Sequence, residues 1–292
     1  MFRKILVCTD LSPASDALIR CVHDFKTLGL EEVVLAHVIY VANTPGLEEM
    51  LAEEARPGLE RQQKFLKEKG LKVVVEMPFG KPAHTLHDTA EKQDVSAILI
   101  GSHGKSLAKD LLLGSVVHRL LQLAEKPVLL LPITLLKGEG GEKKCDVLCG
   151  DFFRHPLFAT DFSEPAGRAF HYLEHIVAHA HPVEVTLYHV QDQGRIQPHL
   201  AYRLDEFNRI DLERLEGLEA RLKGYGATKV HKEVEFGRPG PLIVEKIRKG
   251  GYSMLLVASQ GRGYMAEAFL GRVANHVVHR STIPVLVVPG SL

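Results

Sequence analysis

A frame of glycines constrains this chain more than any other feature of its sequence. It reads Gly101-x-x-Gly104, then nine residues, then Gly114-Ser115, and it directly follows the apolar run 97–100. The same frame returns in degenerate form further along the chain, at Ala258, Gly261, Gly271 and Arg272. An internal repeat fixes the architecture before any single element is considered, so the chain is expected to contain two copies of one unit.

Other segments recur in the same order, which supports the duplication. Lys4–Ser12 resembles Pro156–Ser163, and the His-Val run ending at Val38 resembles the one ending at Val190. We therefore predict one domain over residues 1–136, a second over 151–292, and a polar linker over 137–150. Each predicted domain has a common domain size.

Within each copy, short apolar runs alternate with longer helical patterns. This alternation predicts two tandem α/β domains, each with a parallel sheet and helices on both faces. In the first copy the predicted strands lie near 3–9, 33–39, 72–76, 96–101 and 127–132. Ser12-Pro13 and Ser163 are predicted to start the first helix of each copy, because serine is a good N-cap.

Glycines placed between a strand and a helix have a chemical consequence. Glycine lets the backbone approach a ligand closely, and a helix N-terminus offers unpaired N–H groups and a positive dipole to an anion. The frame from Gly101 to Ser115 therefore predicts a phosphate site.

Taken with Asp10 at the end of the first strand, this frame resembles that of the universal stress proteins in their tandem form. The resemblance covers nearly the whole chain. It implies doubly wound, Rossmann-like domains, each a five-stranded parallel sheet of order 3-2-1-4-5. It also implies an adenine nucleotide, ATP, ADP or AMP, bound alone or together with Mg²⁺ and regulating the protein's shape or its partners in the stress response.

The resemblance also implies the ligand contacts. Asp10 would accept from the ribose or from an N–H group of the adenine. The main chain of Val38 would meet the base edge, and His103 and Lys105 could add positive charge. The implied binding residues of the first copy are Cys8, Thr9, Asp10, Val38, Ile100, Gly101, His103, Gly104, Lys105, Gly114, Ser115 and Val116.

The corresponding residues of the second copy are Asp161, Val190, Ala258, Gly261, Gly271, Arg272 and Val273. It departs where Gly101 becomes Ala258 and where Ser115 becomes Arg272. Arg272 either fills the space of a phosphate or reaches round to pair with one. We therefore expect weaker nucleotide binding in the second copy.

Two structural alternatives stay open for the first copy. Asp10 could serve only to cap the helix after strand one, and Ser115 could serve only to cap its own helix. Neither a Walker loop nor a Gly-x-Gly-x-x-Gly dinucleotide fingerprint is present, because position 99 is leucine and the first turn is Thr-Asp-Leu-Ser.

Charge and hydropathy exclude some functions. Lysine plus arginine and aspartate plus glutamate both number 36, so no overall field favours nucleic acid or an anionic membrane. No apolar run reaches the roughly 20 residues of a membrane helix, and Met1 leads straight into a predicted strand. These features predict a cytoplasmic protein with no membrane or nucleic-acid partner.

Cysteine and histidine give no strong metal signal. Cys8 and Cys21 are predicted as small core residues, whereas Cys145 and Cys149 in the linker could form a redox clip or half a metal site. His37 and His189 recur at equivalent strand positions and are predicted to be structural. The helical trio His171, His175 and His179 is predicted to form an exposed face rather than a metal site.

Three functions remain in competition. The first is a nucleotide-binding regulator with an unknown protein partner. The second is a slow ATPase or phosphotransferase, which is less favoured because no catalytic residue is identifiable near the phosphates. The third is a chaperone-like scaffold that needs no nucleotide. The family also uses its last strand for dimer contact, so we expect strands 127–131 and 284–288 to pair the two halves, and we expect a homodimer.

Overall fold

The structure is a computed structural model of the chain. It describes residues 1–41, 46–102, 113–132, 134–137, 143–146, 151–197, 199–261 and 270–290. Its contacts divide the chain into two compact units, Met1–Gly150 (unit 1) and Asp151–Ser291 (unit 2), and each is described by itself below.

Unit 1 alternates strands and helices along the chain. Its elements are β1 (Lys4–Cys8), α1 (Pro13–Cys21), a 3₁₀ helix (Val22–Leu28), β2 (Glu32–Ala36), α2 (Glu48–Glu68), β3 (Lys72–Glu76), α3 (Pro82–Lys92), β4 (Ala97–Gly101), α4 (Ser115–Leu123) and β5 (Val128–Leu131).

The sheet of unit 1 has the strand order β3-β2-β1-β4-β5, and every pair within it is parallel. The central strand β1 has buried side chains on both faces, as a strand covered by helices on both sides requires. Helix α1 contacts α2, and α3 contacts α4, in keeping with two helical layers. The predicted fold and strand order are confirmed.

A two-stranded antiparallel hairpin follows this sheet. Strand β6 (Thr134–Lys137) pairs with β7 (Lys143–Asp146), and β7 packs against α1. Part of the segment 137–150 that we interpreted as a linker, namely Lys137 and Lys143–Asp146, therefore has regular structure. The side chains of Cys145 and Cys149 lie outside the described residues, and so does their predicted redox or metal role.

Unit 2 repeats the order of unit 1. Its elements are β8 (Pro156–Thr160), α5 (Glu164–Ala180), β9 (Val185–Asp192), α6 (Gln193–Ile196), a 3₁₀ helix (Ala201–Arg203), α7 (Leu204–Gly224), β10 (Val230–Gly237), α8 (Pro239–Gly250), β11 (Met254–Ala258), α9 (Arg272–Val278) and β12 (Val285–Val288). The parallel order β10-β9-β8-β11-β12 corresponds strand for strand to that of unit 1.

The core of unit 1 contains two cysteines, which differ in oxidation state. Cys8 and Cys21 are both buried, as predicted. Cys8 is a free thiol, whereas Cys21 is disulfide-bonded. The prediction that both are core residues is confirmed, whereas the disulfide of Cys21 was not predicted.

Candidate functional site

The turn after β1 is held by its own side chains. The Thr9 N–H donates to the Ala36 carbonyl at 3.0 Å, and the Thr9 hydroxyl accepts from the Leu11 N–H at 3.1 Å. Leu11 adopts a left-handed conformation with φ of 61°. Such a conformation is costly for a residue other than glycine, so its retention indicates a turn that the surrounding structure fixes in place.

Asp10 organises this turn. Its Oδ1 accepts from the Ser12 N–H at 3.1 Å and from the hydroxyls of Ser12 and Ser15. Ser12 itself is the N-cap of α1, because its hydroxyl accepts from the Ser15 N–H at 3.3 Å. Asp10 therefore supports the cap rather than forming it, and its carboxylate is held at the carboxyl edge of the sheet.

Strand β4 brings the glycine frame to the same edge. It pairs with β1 through Val7 and Leu99, and Gly101 is its last residue. The Ser102 carbonyl then accepts from the Gly114 N–H at 3.0 Å, which joins the two ends of the intervening loop. His103, Gly104 and Lys105, three of the predicted binding residues, lie outside the described residues.

Helix α4 begins without a side-chain cap. Gly114 occupies the N-cap position, with no side-chain hydrogen bond to it, and the exposed Ser115 is the first helical residue. The first intrahelical bond runs from the His118 N–H to the Gly114 carbonyl, so the N–H groups of residues 115–117 point out of the helix end. The alternative that Ser115 caps its own helix is wrong, and the geometry suits an anion.

The main chain at Val38 faces this edge. The N–H groups of His37 and Ile39 donate to the carbonyls of Glu76 and Pro78, on the side of β3. Because main-chain groups alternate in direction along an extended strand, the N–H and carbonyl of Val38 face the opposite side, toward the turn after β1. This orientation is the one that a base edge would need.

Two further predicted residues contribute no accessible side chain. Cys8 and Ile100 are buried, and burial raises the pKa of the Cys8 thiol. A buried, protonated thiol is a poor nucleophile. Any contact of these residues with a ligand would therefore involve their main chain.

Unit 2 builds the same turn and the same closure of the loop. The Thr160 hydroxyl accepts from the Phe162 N–H at 3.0 Å, and Asp161 Oδ1 accepts from the Ser163 N–H at 3.0 Å. The Gly271 N–H donates to the Ser259 carbonyl at 2.7 Å. The predicted repeat of the strand-end scaffold is therefore confirmed in the described residues.

A side chain would be crowded at two glycines of unit 2. A Cβ added to Gly261 would lie 2.6 Å from Asp161 Oδ2, and one added to Gly271 would lie 3.0 Å from the Ser259 carbonyl oxygen. Strands one and four of this unit thus bring Asp161 and Gly261 together, as the strand order predicts. Arg272 is exposed as the first residue of α9, next to the half-buried Val273, and Ala258 ends β11.

Histidine has a structural role at the same edge in both units. Nδ1 of His37 lies 2.9 Å from the Thr9 carbonyl oxygen, and Nδ1 of His189 lies 2.7 Å from that of Thr160. Each histidine thus links the second strand to the end of the first strand by a hydrogen bond. The prediction that these two residues are structural is confirmed.

The helical histidines contact their own helix. His171 Nδ1 lies 2.8 Å from the buried Glu174 carboxylate, and the His175 and His179 rings lie 4.0 Å apart, centroid to centroid.

Sequence reasoning missed Ser15. Its hydroxyl donates to Asp10. Ser15 lies three residues after Ser12, whereas Ala166 lies three residues after Ser163, so unit 2 lacks this donor. The Ser-x-x-Ser spacing, a variant of the capping box, was the available signal.

The fold and the site define a class: a tandem, doubly wound α/β protein with the same turn at the carboxyl edge of the sheet in each unit, an edge that is called the candidate ligand edge below. The model of the universal stress protein family matches residues 1–132 and 153–289. The chain therefore belongs to the universal stress protein family.

Individual relatives agree with this assignment. A universal stress protein of Mycolicibacterium smegmatis is 29% identical over 301 residues, covering 97% of this chain and 96% of that protein. One from Methanocaldococcus jannaschii is 34% identical over 152 residues, covering 44% of this chain and 94% of its own length. The crystal structure of a universal stress protein from Archaeoglobus fulgidus, 27% identical, matches with a TM-score of 0.72 over 98% of this chain and 96% of that one.

Within the ranges that the structure describes, no helix is both long and apolar enough to cross a membrane.

Proposed function

We propose that this protein binds an adenine nucleotide in unit 1, and that occupancy of the site controls its conformation or its protein partners under stress. The observation that carries the proposal is the open N-terminus of α4. Gly114 holds that terminus against Ser102, at the sheet edge that also presents Asp10.

Each residue of the candidate site has a distinct role in this proposal. The N–H groups of the first turn of α4, with the Ser115 hydroxyl, bind phosphate oxygens. The main chain of Val38 binds the base edge, and the Asp10 carboxylate accepts from the ribose. His103 and Lys105 are proposed to add positive charge next to the phosphates. If Mg²⁺ accompanies the nucleotide, it neutralises phosphate charge.

Regulation is favoured over catalysis by the state of the reactive groups at this edge. The Asp10 Oδ1 atom already accepts three hydrogen bonds, and the Cys8 thiol is buried and protonated. In the proposal the same carboxylate also accepts from the ribose, so it would not be available as a general base for an attacking group. The described side chains of the site thus suit binding better than turnover.

The experiment that tests this function uses the full chain as purified. Mass spectrometry of the small molecules released on denaturation should detect AMP, ADP or ATP. Calorimetric titration of the stripped protein should then show one tight site for the same nucleotide, with slow or no hydrolysis when Mg²⁺ is added. Absence of heat with all three nucleotides would contradict the proposal, and rapid turnover would favour the enzymatic alternative.

A further inference from the structure

The two units differ in one buried region beside the candidate ligand edge. In unit 1 this region is apolar: Ile39, Ala52 and Ala55 are buried together, with Leu11, Leu51 and Met77 packed against them. Leu11 also contacts α2 at Gly58, where an added Cβ would lie 3.3 Å from its side chain. Little space remains there for a polar group.

The corresponding region of unit 2 is polar. Phe162 has the left-handed conformation of Leu11, with φ of 57°, and the Arg214 guanidinium lies 5.2 Å from its ring centroid. Arg214 on α7 therefore corresponds to Gly58 on α2. One helical turn earlier Asp211 corresponds to Ala55, and Gln191, the residue after Val190, corresponds to Ile39.

These polar residues form a connected network. Gln191 Nε2 donates to Asp211 Oδ2 at 2.9 Å. The same oxygen lies 3.5 Å from His189 Nε2, and Asp211 Oδ1 lies 3.5 Å from Arg214 Nη1. Both Gln191 and Asp211 are buried, with 3% and 7% of their surface exposed. A buried carboxylate needs such partners, and Asp211 has three.

The network leaves one acceptor unused. Because a carboxylate can only accept, the amide group of Gln191 must turn its nitrogen toward Asp211 and its oxygen away. That oxygen, Oε1, is buried and has no hydrogen-bond partner among the described residues. A buried carbonyl without a partner is destabilising, so an N–H donor from a ligand would be stabilised there.

We infer that Gln191 is a specificity-determining residue of unit 2, whose amide oxygen accepts from the exocyclic amine of a 6-aminopurine. The inference rests on the proposed function, in which the main chain of Val38 in unit 1 meets the base edge. Val190, next to Gln191, occupies the equivalent position in unit 2. A 6-oxopurine would place a second acceptor against the Gln191 oxygen and is rejected. Unit 1, with Ile39 at this position, lacks this side-chain contact.

The test compares AMP with IMP, which differ at this one group. Calorimetry uses the full chain carrying Gly114→Val, which removes binding by unit 1, so that the heat comes from unit 2. We expect unit 2 to prefer AMP by about tenfold or more. Gln191→Met, which keeps the volume and removes the amide, should bring the ratio of affinities close to one.

The matched control is Gln193→Met, an exposed glutamine two positions along the chain, which should leave the ratio unchanged. A thermal melt of each variant checks folding, and a purely structural role of Gln191 would lower both affinities without changing their ratio. An unchanged ratio in Gln191→Met, or failure of unit 2 to bind either nucleotide while unit 1 of the native chain binds AMP, overturns the inference. Failure of the native chain to bind AMP at all overturns the proposed function and the inference together.

Discussion

The candidate ligand edges of units 1 and 2 have the same backbone and different surroundings. In both, a threonine holds a left-handed residue, an aspartate accepts from the serine that caps the next helix, and a glycine closes the loop onto the end of strand four. The helix that follows begins with Ser115 in unit 1 and with Arg272 in unit 2. The scaffold is thus repeated, while the groups that would touch a ligand are not.

This difference shows which parts of a duplicated site are constrained by folding. The Thr-Asp-x-Ser turn satisfies backbone groups that would otherwise be left unpaired, so changing it would cost stability in either unit. The first helical residue lies at the surface, and the residues beneath the turn pack against a helix. Both can change without loss of the fold. We therefore expect the units to differ more in affinity and selectivity than in stability.

The largest expected effect is that of Gly114→Val. An added Cβ at Gly114 would lie at an ordinary contact distance, 3.4 Å from the Ser102 oxygen, so the variant should fold. Its branched side chain would cover the first turn of α4 and block phosphate, lowering nucleotide affinity by at least about a hundredfold, or roughly 2.7 kcal/mol. Calorimetry measures the loss.

Gly217→Val is the control for that change, because nothing lies within 4 Å of a Cβ added at Gly217 on α7. It should bind nucleotide as the native chain does. Unchanged affinity in Gly114→Val would show that the phosphates bind elsewhere.

A smaller effect is expected from exchanging the first helical residues. Ser115→Ala removes one hydrogen bond to a charged group, about 1.5–3 kcal/mol, which corresponds to a roughly ten- to hundredfold loss of affinity in unit 1. Arg272→Ser should improve binding by unit 2, since it clears the helix end and adds a hydroxyl donor. Titration of each variant measures both changes, and weaker binding in Arg272→Ser would show that its guanidinium pairs with phosphate.

The smallest expected effect concerns acid stability, where the units are alike. Hydrogen bonds from Lys229 and His231 lower the pKa of Glu184 to about 2, and a hydrogen bond from Lys72 lowers the pKa of Glu32 at the equivalent place in unit 1. A carboxyl with a lowered pKa stabilises the fold above its unfolded pKa of 4.5. For Glu184 this contribution is lost as the pH falls from about 4.5 to about 2.

Glu184→Gln should therefore have a slightly lower melting temperature than the native chain at pH 7. This difference in melting temperature, the gap, should close near pH 2. Glu32→Gln should show the same trend. Because these carboxylates are near the surface, both gaps should shrink in high salt. A gap that persists at pH 2 would mean that the glutamine variants act through packing rather than charge.

The sequence predicted the fold and the position of the edge because glycine, proline and strand alternation are local signals. Ser12 could be placed from its N-cap chemistry and Gly114 from the spacing of the glycine frame, whereas the strand order and the role of Asp10 came from the resemblance to the family. The polar network of Gln191, Asp211 and Arg214 could not, since it depends on the register of α7 against β9 after loops of different length. The hairpin β6–β7 was also missed, because β7 packs against α1, which is distant in sequence. The disulfide of Cys21 was not predicted either.

Hydrogen–deuterium exchange of the native chain tests the central claim most directly, because it locates the ligand without any substitution. With ADP added at a concentration that saturates the tight site, the amides of residues 115–117 at the start of α4 should exchange more slowly, since phosphate oxygens accept from them. The corresponding amides at the start of α9, residues 272–274, should change little at that concentration. Protection confined to α9, or equal protection of both helices, would contradict the assignment of the tight site to unit 1.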